Sequence, residues 1–167
     1  MSGKIARKRK KKAKRQKLQI DLTMPRPALV CAGTDGVEFK ARTIALAAGH
    51  AVVGFVPLNQ SARAGELVTT TQYLPQALKW NVHAAQASLI LTADATLFGR
   101  ALQTQEWCIR YRKNWLHLWP GCPDQARLEE WLRTHNVRLL HVTGPASWQA
   151  PNLSDFVADI MSRVLAS

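Results

Sequence analysis

The chain is short of several things, and each shortage excludes a class of protein. Its 167 residues include three cysteines, Cys31, Cys108 and Cys122, with no CxxC pair. An odd, scattered set builds neither a disulfide framework nor a cysteine-rich zinc module, and its default setting is a reducing, intracellular compartment. No apolar run approaches the roughly 20 residues that cross a bilayer, so no transmembrane segment is expected. The start is basic, but no apolar segment follows it as one does in a secretory signal. His50, His83, His117, His135 and His141 form no HExxH and no pair at ligand spacing, so no metal ligand is assigned. Acidic residues are missing from the start of the chain, the first being Asp21.

That last absence makes the charge lopsided. The net charge is +12, yet residues 1–18 hold ten basic side chains: Lys4, Arg7, Lys8, Arg9, Lys10, Lys11, Lys12, Lys14, Arg15 and Lys17. Residues 19–167 keep 13 Lys and Arg against 11 Asp and Glu, a net of +2. A block of like charge repels itself and has little to bury, so residues 1–24 read as a disordered basic arm and linker. Its physical use is attraction to a polyanion, through release of counterions and without regard to sequence. The partner expected is nucleic acid, RNA ahead of DNA, or a ribonucleoprotein, held through residues 4–17. KRKKKAKR also reads as a nuclear localisation patch, which sets a nuclear location beside a cytoplasmic one. Address-only and anionic-lipid roles for the arm stay open, although its few large apolar residues argue against an amphipathic membrane helix.

Residues 25–167 suffice for one domain with one core. Short apolar runs alternate there with helical spacing. Ala28–Ala32, Ala51–Val56, Ser88–Thr92, Trp115–Trp119 and Val137–Val142 predict strands. Val37–Ala48, Gln72–Gln86, Arg100–Tyr111, Pro123–Asn136 and a segment capped by Asn152 and running to Leu165 predict helices. Asp155 stands at capping-box spacing from Asn152. Leu58–Thr71, polar and irregular, predicts a long loop. Five strands alternating with helices imply an α/β, three-layer, doubly wound domain on a mostly parallel five-stranded sheet.

Ligands in such sheets bind outside the carboxyl ends of the strands. Those ends carry Gly33-Thr34-Asp35-Gly36, Thr92-Ala93-Asp94, Trp119-Pro120-Gly121-Cys122 and Thr143-Gly144-Pro145. A glycine turn at the start of a helix can offer bare N–H groups to a phosphate, although GTDG is neither GxGxxG nor GxxxxGK[ST]. Cys31 and Cys108 read as small buried hydrophobes, and Cys122 stays open. His117 and His141 read as core or sheet-edge histidines. Trp80, Trp115 and Trp131 read as core, whereas Trp119 and Trp148 fall at the ligand edge. Glu38, Asp94 and Glu106 are the carboxylates near that edge, and none has a partner that makes an acid/base pair, so no catalytic residue is assigned. Arg110, Arg112 and Lys113 complement a helix dipole, with an extension of the basic footprint as the lesser reading.

The order of these pieces resembles the circularly permuted SLOG family, whose members carry a molybdenum carrier label. The resemblance rests on Trp80-Asn81-Val82 before Ala87-Ser88-Leu89-Ile90-Leu91-Thr92, then Trp115-Leu116-His117-Leu118, Trp131-Leu132 and Val142-Thr143-Gly144-Pro145. It runs over roughly residues 28–165. It implies a Rossmann-like fold with a pocket for a nucleotide-type or related phosphorylated ligand. With the strand-end residues, it makes Gly33, Thr34, Gly36, Glu38, Asp94, Gly99, Arg100 and Gly144 the candidate ligand residues. The chain departs from the family where it matters. Ala32-Gly33-Thr34-Asp35-Gly36-Val37-Glu38 stands for Gly-Gly-Gln-Thr-Gly-x-Asp, Pro57-Leu58-Asn59-Gln60 for Pro-Lys-Gly-Arg, and Ala146 for an arginine. Phosphate sites rely on bare backbone and cations, and several of both are gone. The expectation is a non-catalytic binding or assembly protein, a SLOG-like domain tethered to RNA or a ribonucleoprotein by its arm. The alternative is a sensor of, or hydrolase for, a nucleotide-derived ligand at the strand ends. Homo-oligomerisation is left open.

Overall fold

The short apolar runs become parallel strands in a computed structural model that describes residues 23–33, 35–58, 66–71 and 73–167. The ten basic residues from Lys4 to Lys17, and Thr34, lie outside the described residues. The strands are β1 (Ala28–Val30), β2 (Val52–Pro57), β3 (Glu66–Thr71), β4 (Ala87–Leu91), β5 (Asn114–Leu118) and β6 (Leu139–Thr143). They form one sheet in the order β3-β2-β1-β6-β4-β5, with every pairing parallel. β1 is central, Leu29 standing opposite Val52 on one side and Leu140 on the other. β1, β2 and β4 are buried along their whole length, as expected of strands covered on both faces.

The sheet has six strands rather than the five predicted. The sixth, β3, lies inside Leu58–Thr71, the stretch read as loop. ELVTTT has no run of large apolar residues because β3 is an edge strand, paired among the described residues only with β2. Threonine and valine suit a half-covered pleat, but the pattern is too polar to announce itself.

The helices are α1 (Gly36–Ala47), α2 (Leu74–Ala84), α3 (Gly99–Tyr111), α4 (Leu128–Thr134) and α5 (Ser154–Ala166). α1, α4 and α5 pack together on one face of the sheet, and α2 and α3 on the other. Two helix starts differ from expectation, and proline is the reason both times. Pro123–Arg127 and Pro151–Leu153 wind as 3-10 turns ahead of α4 and α5. Asn152 is therefore inside a turn already begun at Pro151, whose fixed φ favours that winding. It does not cap α5, which starts without a side-chain cap.

On the α1/α4/α5 face one continuous apolar cluster runs from Leu29, Leu89, Leu140 and Val142 to Val157, Ile160, Met161 and Val164. The α2/α3 face differs. It has two small clusters, one around Phe55 and Leu78 and one around Val30 and Val53. Between them lie buried polar side chains. Asn81 donates Nδ2–H to the Phe55 carbonyl at 3.0 Å and accepts the Phe55 N–H at 2.7 Å, so one amide reads both backbone groups of a strand residue. Ser88 and His141 sit in register on β4 and β6, with Oγ and Nδ1 3.2 Å apart.

All three cysteines are buried. Burial pushes the Cys31 thiol up to about 12, which makes it inert at neutral pH. Cys122 is only 4 % exposed and packs in the large cluster. Trp80 and Trp131 pack half-buried against the core. Trp148 is 78 % exposed.

Candidate functional site

At the carboxyl end of β1, Cys31–Gly33 carry the chain over the top of the sheet into α1. The spacing Val37, Ala41, Ala45 puts the apolar stripe of α1 on the core. The adjacent stripe carries Glu38 and Arg42, four residues apart and both buried. Glu38 Oε2 accepts the Ala32 N–H at 3.0 Å, and its Oε1 accepts the Thr143 hydroxyl at 2.8 Å. Glu38 thus fastens the loop after β1 to the end of β6. It is a fully buried brace beneath the edge rather than a group presented to a ligand.

Arg42 completes this fastening. Its Nη1 donates to the Gly33 carbonyl at 2.9 Å, and its Nε lies 2.9 Å from Glu66 Oε1 on β3. Burying a guanidinium is tolerable only with such partners. The Arg42 guanidinium also stands where a Cβ on Gly33 would project, and Gly33 has φ +67°. Gly36, with φ +66°, backs directly onto the Pro145 carbonyl, and the Val37 N–H donates to that same carbonyl at 3.4 Å. At Gly144 a Cβ would meet the Leu91 carbonyl and Val37. These three glycines are needed because protein stands where a Cβ would project.

Asp35 stands at the N-cap position of α1 but makes no side-chain cap. Its carboxylate turns across the edge instead. Oδ1 lies 3.2 Å from Arg100 Nη2, and Oδ2 accepts the Ser147 hydroxyl at 3.4 Å. A carboxylate of the chain itself thereby occupies the positive end of α1, the place where a bound anion is usually favoured. Arg100, at the start of α3, is engaged with it. Gly99, with φ +52°, has open space where a Cβ would be, unlike the other three candidate glycines.

Asp94 lies on the other side of the edge, in the loop after β4. Its Oδ1 accepts the Thr96 N–H at 2.7 Å, and this bond holds its carboxyl below the usual range. Nearby, Thr92 Oγ1 donates to the Asp94 carbonyl at 2.6 Å and lies in hydrogen-bonding contact with His117 Nε2. The His117 ring is 4.9 Å from that of Trp119. Its burial lowers the imidazole pKa, with Asp94 pulling weakly the other way. A neutral His117 is the form that fits.

A cavity of about 610 Å³ opens between the start of α1, the loop after β6 and the start of α5. Asp35, Phe39, Lys40, Ser147, Ser154 and Val157 are among its walls, with Gly33 and Gly36. Asp94, Gly99, Arg100 and Gly144 do not line it. The seven described candidate residues therefore do not all line one cavity, and Thr34 lies outside the described residues. Gly33 and Gly36 wall the cavity, Glu38 braces it from below, and Gly144 is packed under it. Asp94 and Gly99 lie across the edge, joined to it through the Arg100–Asp35 pair. Thr143, the side-chain partner of Glu38, stands in the strand-end set read from sequence, whereas Arg42, the partner of Gly33 and Glu66, does not. The available signal was the Glu38/Arg42 pair at i, i+4 beside an apolar stripe. Among the described residues no three His, Cys, Asp or Glu side chains gather where they could hold a metal ion. None of the described helices is long and apolar enough to cross a membrane.

An all-parallel sheet between two helical layers, with its loops gathered at the strand ends, defines a Rossmann-like domain. The chain belongs to the circularly permutated YpsA SLOG family, whose model matches residues 29–165. Its fold is similar to that of the crystal structure of the "Putative molybdenum carrier protein" from Syntrophus aciditrophicus. The TM-score is 0.75 at 18 % identity, over 85 % of this chain and 97 % of that one. No curated protein matches the chain.

Proposed function

We propose that this chain is a non-catalytic binding or assembly protein, a SLOG domain tethered to RNA or a ribonucleoprotein by its polybasic arm. The observation that carries this reading is the filled turn between β1 and α1. Arg42 covers Gly33, the Pro145 carbonyl takes the Val37 N–H, and Asp35 sits at the helix start paired with Arg100. An anion brought to this turn meets the Asp35 carboxylate. The chain's cations are concentrated instead in Lys4 to Lys17. Its setting is a reducing intracellular compartment, cytoplasmic, or nuclear where the basic run acts as an address.

Equilibrium binding of single-stranded RNA by the full chain and by a chain lacking residues 1–18, over a salt series, tests the reading. The full chain is expected to bind with a steep salt dependence, about 0.7 log units per log unit of salt for each phosphate neutralised. Removing the arm is expected to cost roughly 100-fold at about 0.1 M salt and to flatten that slope. Equal binding by both chains, or none by either, overturns it.

The second reading keeps the cavity as a working site for a nucleotide-derived ligand, in a sensor or a hydrolase. Its volume of about 610 Å³ falls in the range of small-molecule pockets, and Lys40 stands on its wall. A nucleotide that raises the melting temperature of wild type but not of Lys40→Ala would favour it.

A further inference from the structure

The exteriors of the two helical layers carry different charge. α2 and α3, with the residue after α3, present Lys79, Arg110 and Arg112 against Glu106, while Arg100 pairs with Asp35 and Lys113 donates to the Ala85 carbonyl at 2.7 Å. α1, α4 and α5 carry at least as many acids as bases. Aromatic rings lie among the cations of the first layer. Lys79 Nζ stands 5.1 Å from the Trp107 ring centroid and the Arg110 guanidinium 5.8 Å. The Trp107 and Tyr111 rings are nearly parallel, at 14° and 6.0 Å, and His83 meets Tyr111 edge-on at 5.3 Å.

These rings lie along the outer seam of α2 and α3 rather than in the core. The buried side chains of α3 are Ala101, Thr104 and Cys108, all small. Neither Trp107 nor Tyr111 belongs to a core cluster. A half-buried indole with a lysine and an arginine against its ring offers a face that a nucleobase can take by displacing the lysine. The same cations then lie within reach of the phosphates on either side. This combination of stacking ring and positive surround is what sequence-tolerant binding of single strands uses.

We propose that the outer face of α2 and α3, centred on Trp107 with Lys79, Arg110 and Tyr111, binds single-stranded RNA by base stacking. The inference rests on the reading of the chain as an RNA-tethered protein. It adds a second contact of a different chemistry: the arm holds phosphates, and this face holds unpaired bases.

The test uses the full chain with a labelled single-stranded RNA of about 12 nucleotides, within the usual span of such sites. A duplex RNA of the same length serves as comparison. Trp107→Ala is expected to weaken single-strand binding about 5- to 100-fold, leaving duplex binding and the salt slope unchanged. Trp107→Phe, which keeps a stacking face, is expected to retain most of the affinity. Lys79→Ala/Arg110→Ala is expected to weaken binding and reduce the salt slope by about 0.7 per cation lost. Folding of each variant is checked by its melting temperature. Should Trp107→Ala disturb the fold, the outward Lys79→Ala/Arg110→Ala variant and photo-crosslinks from thiouridine-labelled RNA mapping to α3 decide the question. Unchanged single-strand affinity in Trp107→Ala, equal loss for duplex and single strand, or crosslinks confined to residues 1–18 overturns the proposal. If the chain without residues 1–18 loses binding and Trp107→Ala does not, this face is excluded and the arm reading stands. If Trp107→Ala loses binding and the shortened chain does not, the arm reading falls and this face stands.

Discussion

On one side of the sheet α1, α4 and α5 close over a single apolar cluster reaching from Leu29 to Val164. On the other, α2 and α3 close over two small clusters and the polar groups Asn81, Ser88, Thr104 and His141, all fully buried. Hydrophobic stabilisation scales with apolar area removed from water, so most of it belongs to the first layer. The second layer gains specificity from hydrogen bonds to β2 and β4, which contribute modestly in net terms. Such a layer opens more readily. It is also the layer whose exterior is basic and aromatic. One half of the domain holds the larger apolar core, and the other carries the basic and aromatic exterior.

The largest effects should come from thinning each layer in turn. Ile160→Ala removes a fully buried side chain from the centre of the large cluster. It is expected to cost about 2–5 kcal/mol, since a well-packed site collapses poorly. Leu78→Ala, equally buried but in the small cluster around Phe55, should fall at the low end of that range. Denaturant unfolding of both variants checks the ranking. A larger loss for Leu78→Ala would break the asymmetry.

Acid should act next, and through the polar layer. His141 is fully buried on β6, and burial lowers its pKa from 6.5 to about 3. The unfolded chain therefore takes up a proton that the folded chain refuses. Stability is full above pH 6.5, falls at up to about 1.4 kcal/mol per pH unit below it, and levels off near pH 3. His141→Gln keeps a polar group near Ser88 without a titrating ring. Its stability should fall less steeply between pH 6 and pH 4, followed by urea midpoints at each pH. Equal slopes for the two proteins would mean that another group controls acid sensitivity.

How much of this was legible in the sequence follows from the same division. Where a strand is buried on both faces, its residues are continuously apolar. ALVCA, AVVGFV and SLILT therefore locate β1, β2 and β4 to within a residue or two. At the sheet edge the pattern blurs, and the polar ELVTTT of β3 reads as loop in the sequence. The strand-end residues were found as a set because topology puts them there. Their roles were not legible, since a glycine that opens backbone to a phosphate and one that admits a neighbouring carbonyl look the same in sequence. Only the contacts of Gly33, Gly36 and Gly144 separate the two uses. Glu38 matched a family acid by position, and its partners Ala32 and Thr143 show it to be a brace. Thr143 is 105 residues away, a separation at which local pattern carries no information.

The smallest expected effect belongs to the exterior of the apolar layer. Arg163 on α5 forks onto Glu129 on α4, with Nε at 2.6 Å and Nη2 at 2.8 Å, and Nη2 also donates to the Gln125 carbonyl at 2.6 Å. These hydrogen bonds from Arg163 hold the Glu129 carboxyl below its ordinary 4.5. The pair's contribution is thus present above pH 4.5 and is lost as the pH falls through the lowered value. Both side chains are partly in water, at 29 % and 46 % exposed, so screening keeps the contribution small. Glu129→Gln is expected to cost no more than about 1 kcal/mol at low salt, and less as salt is raised, since an exposed pair is weakened by counterions. Arg110→Ala, on the opposite exterior, should change stability by a similar or smaller amount while weakening RNA binding. If Glu129→Gln cost as much as Ile160→Ala, the α4–α5 surface rather than the apolar cluster would be holding that layer together. The two layers would then differ in the polarity of their cores without differing in what stabilises them.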